Sequence, residues 1–504
     1  MKNVIRTKFL SFIIAAAIIF SGCSTDDGAI LPPPAAVVKP NIVFFGISAA
    51  NQLIKYNANA TQTVVAQFTV TGLQAGESIL AIDFRPATGQ LFGLGNSSRL
   101  YVINPETGAA RAVGTAPFAP AISGAVAGFD FNPTVDRIRL VTNTGQNLRL
   151  NPETGTVAAT DGNINPAAQL NGAAYTNSVA GTSTTVLYVT DGQRLFKQDP
   201  PNNGTVTEKG FFGVAGTGSG DFDISPDNKV ALAALNVNGV SSLYQIDTAN
   251  GNAVNLGQFA TPVVGIAIPT MPVAYSVNNT NNLLIFNLTA PATPVSKAIT
   301  GLQAGENILG IDMRPATGQL YALGSTSRLY TINMSSGAAT AVGTAPFTTA
   351  LAGTSFGFDF NPLVDRVRVI SNTGQNLRLD PNTGLIAAVD GALNPGTPAA
   401  SAAAYTNNFS GTTATTLFVV DATTDKLYIQ NPPNNGTLVE VGNLNINVET
   451  DNGFDIGGRS NMAYGLFTVG TATKIYAVNL STGVATAVAD FPGLVKGFAV
   501  GLGF

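Results

Sequence analysis

Hydrophobic and polar positions alternate along the chain in runs of four to six residues. Three consecutive examples are RIRLVT from Arg137, NLRLN from Asn147 and TVAAT from Thr156. A period of two places alternate side chains on opposite faces of a β-strand. The connecting segments are of the type NPETG, in which Pro presets one backbone dihedral and Gly accepts positive φ, as a tight hairpin requires. The pattern therefore predicts short antiparallel strands.

The strand-like runs are organised in repeating units. An apolar-Asp-apolar signature marks the first run of most units, and its copies are separated by one or two units of about 46 residues. The six aspartates are Asp83, Asp130, Asp223, Asp312, Asp359 and Asp455. Four strands in about 40 to 50 residues, repeated along a chain, are typical of the blades of a β-propeller.

A larger duplication contains these units. The segment TGLQAGESILAIDFRPATGQLFGLG from Thr71 matches the segment from Thr300 at 20 of 25 positions. The segment FDFNPTVDRIRLVTNTGQNLRLN from Phe129 matches the one from Phe358 at 17 of 23 positions. The offset along the chain is the same for both pairs, so two halves of nearly equal length cover almost all of the chain from Asn41 to Phe504.

Each half contains five units. The first half opens with three strand-like runs and ends with the lone run VVGIAIP, and the second half does the same from PVAYSV to KGFAVGLGF. Since a propeller usually closes when its last strand completes the first sheet, the pattern predicts an all-β chain of tandem five-bladed β-propellers. One ten-bladed propeller, closed only at Phe504, fits the strand count as well and is the alternative.

Composition narrows the possible functions. Charged residues are only 11% of the chain and the net charge is −4, without the basic patch that nucleic-acid binding requires. The absence of histidine excludes His-based acid-base catalysis and Ser-His-Asp triads. The G-x-S-x-G pattern around Ser355 is therefore not a nucleophile elbow, and the first half has Val126 in place of this serine. We expect no cofactor, no metal site and no nucleic-acid partner.

The N-terminus has the features of an export signal. A basic start is followed by an apolar run from Phe9 to Phe20, which is shorter than the roughly 20 residues of a membrane-spanning helix. The run ends in FSGC, which resembles the bacterial lipobox, and Cys23 is the only cysteine of the chain. We therefore predict lipidation at Cys23 and anchoring to the bacterial outer membrane. The acidic pair that follows this cysteine resembles a signal for export to the cell surface.

These observations divide the chain into four parts. We predict a signal peptide over residues 1–22 and a lipidated cysteine with a Pro-rich tether over residues 23–40. The first propeller is predicted over residues 41–270 and the second over residues 271–504.

Several motifs resemble those of a known family. IDFRPATGQL, FDFNPTVDRIRLVTNTGQNLRLNPETG and AAYTN occur in order, and the likeness extends over both halves. They resemble the bacterial domain-of-unknown-function family 4394. The resemblance implies an exported propeller-like protein, and it supplies no activity or site residues.

The aspartates of the first strands are candidates for chemistry because first strands line the channel of a propeller. Asp83, Asp130, Asp312 and Asp359 are the catalytic candidates, and Asp223 completes the set in the first half. Paired carboxylates at the channel could hydrolyse or cleave a polysaccharide, or hold a cation. The alternative is that each carboxylate is a buried acceptor that ties neighbouring blades together, and we favour this structural role.

Arginines recur between the halves, whereas lysines do not. Arginine that is not exchanged for lysine indicates planar recognition of a carboxylate, within an inter-blade ion-pair network or in an anion pocket. Asp130 and Asp136 are the acidic residues near them in sequence. Neighbouring amides could read the hydroxyl groups of a sugar, although Asn and Gln beside Gly are also ordinary turn residues. The candidate ligand-binding residues are Arg137, Arg139, Asn143, Gln146 and Arg149, with Arg366, Arg368, Asn372, Gln375 and Arg378 in the second half.

The sequence as a whole favours a non-catalytic binding or scaffolding module at the cell envelope. Its partner would be an anionic glycan, an organic acid or an envelope protein, and its contact with the membrane would be through the lipid anchor. A polysaccharide hydrolase or lyase that uses the channel carboxylates, and a purely structural envelope protein, are the alternatives.

Overall fold

The computed structural model describes residues 37–217 and 221–504, and Lys39–Phe504 form one compact unit of ten four-stranded antiparallel sheets. The predicted signal peptide, Cys23 and most of the predicted tether lie outside the described residues. In the part of the chain that the structure describes, no helix is long and apolar enough to cross a membrane.

The first half forms five sheets from 20 strands. These strands are β1 Val43–Ile47, β2 Gln52–Asn57, β3 Ala66–Thr69, β4 Ile79–Phe84, β5 Leu91–Gly95, β6 Arg99–Ile103, β7 Ala110–Val113, β8 Ala127–Asn132, β9 Arg137–Thr142, β10 Asn147–Asn151, β11 Thr156–Thr160, β12 Gly172–Tyr175, β13 Leu187–Thr190, β14 Arg194–Gln198, β15 Val206–Phe211, β16 Phe222–Ile224, β17 Ala231–Val237, β18 Val240–Ile246, β19 Ala253–Gln258 and β20 Gly265–Ala267. A 3₁₀ turn over Pro201–Asn203 precedes β15.

The second half repeats this arrangement. Its strands are β21 Val273–Asn278, β22 Asn282–Asn287, β23 Ala290–Ala298, β24 Ile308–Arg314, β25 Gln319–Gly324, β26 Arg328–Ile332, β27 Ala339–Val342, β28 Phe356–Asn361, β29 Arg366–Ser371, β30 Asn376–Leu379, β31 Ile386–Val389, β32 Ala400–Tyr405, β33 Leu417–Asp421, β34 Lys426–Gln430, β35 Leu438–Asn443, β36 Gly453–Ile456, β37 Ala463–Val469, β38 Ala472–Val478, β39 Ala485–Phe491 and β40 Val495–Val500. A 3₁₀ turn over Pro433–Asn435 precedes β35.

Each half closes on itself. In the first half, β20 pairs with β1, with Ile266 opposite Gly46, so the last strand completes the first sheet. In the second half, β40 pairs with β21 in the same way, with Ala499 opposite Tyr275. The prediction of tandem five-bladed propellers is confirmed, and the ten-bladed alternative is wrong because closure occurs twice.

The burial of each strand follows its position in the blade. Inner strands such as β4 and β8 are buried almost throughout, because both of their faces pack against neighbouring blades. Outer strands such as β11 alternate between half-buried and exposed side chains. Blades approach most closely at the inner strands, where a Cβ on Gly128 of β8 would lie 2.5 Å from the carbonyl carbon of Gly172 on β12. A glycine is needed there for the space that it leaves rather than for its dihedral angles.

The two rings are joined through the second blade of the first ring. Arg85 donates from Nη1 to the carbonyl oxygen of Gly318 at 3.2 Å, and Gly503 donates its backbone N–H to the carbonyl oxygen of Thr88 at 2.8 Å. Ala87 of the first ring lies within an apolar cluster that otherwise belongs to the second ring. These contacts fix the walls of the cavity described below.

Candidate functional site

The first-strand aspartates meet at the centre of each ring. In the first ring, Asp83, Asp130 and Asp223 are buried, and one carboxylate oxygen of each lies within 4.8 Å of the others. Asp83 accepts the backbone N–H of Phe131 at 2.8 Å, and Asp130 accepts that of Tyr175 at 2.9 Å. Each carboxylate therefore ties its own inner strand to the next one, as the structural interpretation of the sequence predicts.

The second ring repeats the cluster. Asp312, Asp359 and Asp455 are buried with the same spacing. Asp312 accepts the backbone N–H of Phe360 at 2.7 Å, and Asp455 accepts that of Val500 at 2.6 Å. The last of these bonds crosses to the closing strand β40, so the cluster also secures the ring.

The two clusters hold protons tightly. Burial, followed by the charge of Asp223, raises the pKa of Asp83 well above its usual range, and burial with the charges of Asp83 and Asp223 does the same for Asp130. Burial raises the pKa of Asp223 and of Asp455 to about 7. Three oxygen donors at this spacing can share protons or hold a hard cation such as Ca²⁺.

The channel beside the second cluster is narrow. All five inner strands of that ring line a cavity of about 10 Å³, which is room for about one water molecule. Acid-base catalysis needs the carboxyl group within hydrogen-bond reach of the substrate. A sugar ring does not fit into this cavity, and Asp312, Asp359 and Asp455 are not among the residues that line it.

The recurring arginines form a network inside each blade rather than an open site. Arg139 is 2% exposed and donates to Asp161 at 2.7 Å, to Asn147 at 2.7 Å and to Asn202 of the next blade at 2.8 Å. Arg149 donates to the same carboxylate, Asp161, at 2.8 and 3.0 Å. Both guanidinium groups thus share one carboxylate, that of Asp161.

The second ring contains the same network. Arg368 and Arg378 both donate to Asp390, at 2.6 and 2.8 Å, and Arg368 also reaches Asn434 of the next blade at 2.8 Å. The sequence does not reveal Asp390 as the partner because it follows the outer strand and is remote from both arginines in the chain.

The acidic residues near these arginines in sequence contact other groups, and Asp136 and Asp365 form inter-blade ion pairs of the kind that the network interpretation predicts. Asp136 accepts from Nε of Arg85 on the preceding blade at 2.9 Å, and Asp365 accepts from Arg314 at 2.9 Å. The turn after β8 and β28 places both aspartates in the left-handed region, with φ of 51°. This conformation carries their carboxylates toward the preceding blade, which makes the ion pair an inter-blade contact.

Three of the candidate arginines do line one small pocket. Arg137, Arg139 and Arg149 border a cavity of about 190 Å³ in the first ring, beside Tyr175 and Asn202. Arg137 donates to its neighbour's carbonyl oxygen, and among the described residues it forms no ion pair with a carboxylate. Its counterpart Arg366 pairs with Asp380 at 3.5 Å. The pocket is smaller than most sites for small molecules, which have volumes of at least about 300 Å³.

The candidate amides lie elsewhere. Gln146 donates to the carbonyl oxygen of Ala121 at 2.8 Å and accepts the backbone N–H of Ser123 at 2.9 Å, and Gln375 donates to Ala350 at 2.9 Å. Asn372 accepts the backbone N–H of Thr354 at 3.0 Å. These side chains hold the loop before the inner strand, and neither Gln146 nor Asn143 lines the arginine pocket.

A larger cavity lies between the two rings. Its volume is about 450 Å³, and we call it the junction cavity. The first ring contributes β5, β6 and β7 with their connecting turns, and the second contributes loops of four different segments. The lining residues are Gly89, Gln90, Leu91, Val102, Ile103, Asn104, Pro105, Thr107, Ala109, Ala110 and Arg111 of the first ring, with Pro315, Phe409, Ser410, Gly411, Arg459, Leu502 and Gly503 of the second.

Two arginines supply the positive charge of the junction cavity. Arg459 donates from Nη1 to the carbonyl oxygen of Gly503 at 2.8 Å and pairs through Nη2 with Glu106 at 2.6 Å, whereas its buried Nε–H has no hydrogen-bond partner among the described residues. Burial lowers the pKa of Arg111. The side chain of Arg111 donates to the carbonyl oxygen of Ala112 at 3.3 Å and has no carboxylate partner within the described ranges.

Sequence reasoning misses both of these arginines because it looks for residues that the two halves share. The position of Arg111 is occupied by Thr340 in the second half. The position of Arg459 is occupied by Asp227 in the first half, when the slightly longer offset of the later segments is applied. The informative positions are instead those at which the two halves differ. Positions at which near-identical copies diverge to arginine mark the places where the rings are not equivalent.

Comparison with protein families gives one match in two places. The model of a domain of unknown function, DUF4394, matches residues 52–267 and 282–499. No curated protein matches the chain.

Solved structures resemble the chain only distantly. PorZ, described as an essential bacterial surface component of the type-IX secretion system of Porphyromonas gingivalis, is 12% identical with a TM-score of 0.25. The alignment covers 90% of this chain and 59% of PorZ. The extracellular domain of a hybrid two-component system from B. thetaiotaomicron is 13% identical with a TM-score of 0.26, again over 90% of this chain and 59% of the other.

A third similar structure is NirN, a dihydro-heme d1 dehydrogenase solved in complex with DHE. It is 14% identical with a TM-score of 0.23, over 79% of this chain and 73% of NirN. This chain spans less than two thirds of the length of PorZ and of the two-component domain. At these scores none of the three carries a conclusion about the function of this chain.

Proposed function

Because the chain belongs to the DUF4394 family and contains two copies of its domain, we propose that it is a non-catalytic binding module of the bacterial cell envelope. A small ligand would bind in the junction cavity. The observation that carries this proposal is the cavity itself, with a volume of about 450 Å³ and walls from both rings.

The size and position of the cavity support ligand binding. Binding sites for small molecules commonly have volumes of several hundred cubic ångströms and occur preferentially between domains. The junction cavity has this size, and it combines apolar walls with a few polar groups, as such sites do. The ligand would contact both rings at once, so its binding would also stabilise their arrangement.

The central carboxylates support a non-catalytic function. Asp83, Asp130 and Asp223 each already accept at least one backbone N–H from an adjacent inner strand. Buried acceptors of this kind stabilise the fold, and in the second ring the channel beside the equivalent residues has space for only about one water molecule. A glycosidase needs two carboxyl groups on either side of a bound sugar.

Export and lipid anchoring belong to the same proposal. They rest on the apolar run before Cys23 and on the lipobox-like FSGC. Expression of the full chain in a Gram-negative host, followed by mass spectrometry of the mature N-terminus, tests them. We expect a diacylated or triacylated Cys23, and Cys23→Ser should move the protein from the membrane to the soluble fraction. An unmodified, uncleaved N-terminus in the wild-type protein would contradict the anchoring.

Ligand binding can be tested with a substitution that fills the cavity. Ala109 lies exposed in the cavity wall, and Ala338 is the matching residue of the second half, which lies outside this cavity. The protein from Ser24 onward contains every strand of both rings and can be screened against saccharides, organic acids and lipids by the change in melting temperature.

We expect compounds that raise the melting temperature of the wild type and of Ala338→Phe, but not of Ala109→Phe. A ligand at 100 times its Kd adds about 2.7 kcal/mol to the free energy of unfolding, an effect that is easily measured. If the active compounds stabilise Ala109→Phe equally, or if no compound stabilises the wild type, the junction cavity is not a binding site.

A further inference from the structure

Building on the proposed function, we infer that the ligand of the junction cavity is an organic acid with an apolar body. Its carboxylate would be held by Arg459 and Arg111, and its hydrocarbon part would lie on the apolar wall. This assignment rests on the unsatisfied donor of Arg459, on the unpaired charge of Arg111 and on the composition of the cavity.

Arg459 is held ready to donate a hydrogen bond. Its Nη1 is bound to the carbonyl oxygen of Gly503 and its Nη2 to Glu106, so the plane of the guanidinium group is fixed from two sides. Its Nε–H is buried and has no acceptor. A buried donor without an acceptor is costly, and a carboxylate oxygen at this position would remove the cost through a charge-assisted bond.

Arg111 supplies a second positive charge that the protein does not neutralise. It projects from β7, opposite Val102 of β6 in the strand register, and both residues line the cavity. Its only side-chain hydrogen bond in the described part of the chain goes to the carbonyl oxygen of Ala112. Burial lowers the pKa of this arginine because no acid compensates its desolvation. An anionic group in the cavity would provide the compensation.

Much of the remaining wall is apolar. Leu91, Val102 and Ile103 come from the first ring, and Phe409 and Leu502 from the second. Phe409 is 40% exposed, so its ring is accessible to a ligand at the edge of the cavity. A ligand with polar groups over its whole surface would leave this wall without an apolar partner, so a uronic acid, with its ring of hydroxyl groups, fits less well than an acid with a hydrocarbon body.

Glu106 defines the mouth of the site. Its side chain is 67% exposed, and it occupies Nη2, one of the two donors on the Nε–Nη2 edge of Arg459. An incoming carboxylate that takes Nε–H and Nη2–H together, in the bidentate geometry that arginine favours, would have to displace Glu106. Glu106 therefore competes with the ligand, and its removal should strengthen binding instead of weakening it.

The test uses two pairs of probes that differ only in charge. Decanoate is compared with decanamide, and 2-naphthoate with 2-naphthamide, by titration calorimetry against the chain from Ser24 onward. The protein contains no tryptophan, so naphthalene fluorescence provides a second readout without background. We expect at least one acid to bind about tenfold more tightly than its amide, which is the effect of one charge-assisted hydrogen bond.

Three variants test whether Arg111 and Arg459 bind the carboxylate. Arg111→Thr introduces the residue that the second half has at this position, and it should abolish most of the difference in affinity between acid and amide. Arg459→Lys should have the same effect because lysine lacks the Nε–H. Glu106→Gln should tighten the binding of the acids severalfold while leaving the amides unchanged. Arg194→Gln, on a different blade, is the control for the general loss of a positive charge.

The outcomes separate this inference from the proposed function. If acids and amides bind equally and Ala109→Phe blocks both, the cavity binds ligands but the assignment of an organic acid is wrong. If the acids bind more tightly but Glu106→Gln weakens them, the arginines do not form the carboxylate site. If no probe binds the wild type, the organic-acid inference fails, and the ligand screen described above decides whether the cavity binds another class of molecule.

Discussion

At the scale of single residues, two kinds of buried charge hold each ring together. The arginines are neutralised by a nearby acid, as Arg139 is by Asp161 at 2.7 Å. The central aspartates have no basic partner in the part of the chain that the structure describes; backbone N–H groups stabilise them, and burial raises the pKa of Asp130 so that its protonated form is favoured. The first kind of charge is tolerated because it is paired, and the second because it can be removed by a proton.

The central aspartates make stability depend on pH. A folded-state pKa of about 7 for Asp223 and Asp455, against about 4 in the unfolded chain, means that the folded state binds protons more strongly. Their contribution to stability is complete below pH 4 and is lost as the pH rises through 7. We expect the free energy of unfolding, measured in urea, to fall between pH 5 and pH 8.

Two substitutions distinguish the contribution of the carboxylate charges to stability from that of their hydrogen bonds. Asp130→Asn keeps an oxygen for the N–H of Tyr175 and removes one of the three carboxyl groups that repel one another when they ionise, so it should raise the melting temperature at pH 8 by a few degrees and flatten the pH dependence. Asp83→Asn loses one of the two carboxylate oxygens that accept a backbone N–H. It should lower the free energy of unfolding by about 1 to 3 kcal/mol at both pH 5 and pH 8. If Asp130→Asn is instead destabilised at pH 8 and EDTA destabilises the wild type equally, the cluster holds a cation.

The arginine network makes a separate prediction. Arg139→Gln leaves Asp161 buried with only Arg149 as its partner and removes the bond to Asn202 of the next blade. We expect a loss of about 3 to 5 kcal/mol in the free energy of unfolding, as for other broken buried ion pairs. Arg137→Gln is the matched control, since Arg137 has no carboxylate partner in the described structure, and it should cost less than about 1 kcal/mol. Equal losses in the two variants would mean that the network does not stabilise the blade.

At the scale of the elements, the closing strand of each ring determines whether five sheets become a domain. β40 completes the sheet of β21 to β23, and Val500 donates its N–H to Asp455 of the neighbouring blade. Removal of Val495–Phe504 should therefore unfold the second ring and leave the circular dichroism of the first. Deletion of Lys39–Ile42, which contains no strand, is the control. A truncated chain that keeps the full strand signal would contradict closure by β40.

Sequence patterns predict the strands better than they predict the contacts between side chains. Alternation, turn residues and the constant offset between the halves predict the strands and both closures, because these depend on local chemistry and on order along the chain. The pairing of Arg139 with Asp161 depends on a contact across 22 residues and two strands, and the nearest acid in sequence, Asp136, turns toward another blade. The junction cavity arises between copies, at residues such as Arg111 that only one copy has, so no motif marks it.

At the scale of the whole molecule, the contacts between the rings predict that they unfold together. Phe504 packs against two apolar clusters of the second ring and reaches Gly89 of the first, where a Cβ would lie 2.3 Å from its ring. Arg85 and Gln319 add hydrogen bonds across the junction, to Gly318 and Glu153. Since the rings share this packed surface, calorimetry of the wild-type chain should show one transition.

Phe504→Ala removes the aromatic ring that both halves contact, and it should separate the single transition into two. Phe504 is half-buried, so its loss should cost less than the roughly 3 to 5 kcal/mol of a fully buried phenylalanine, and part of this loss falls on the contact with Gly89 of the first ring. Phe211→Ala, which removes an aromatic ring that is 61% exposed on an outer strand, should leave one transition near the wild-type temperature.

Two transitions already in the wild type would show that the rings are energetically independent, and a ligand in the junction cavity would then have to supply the coupling itself. If the wild type has one transition and Phe504→Ala has two, a ligand of the cavity should merge them again, because it binds only when both walls are in place.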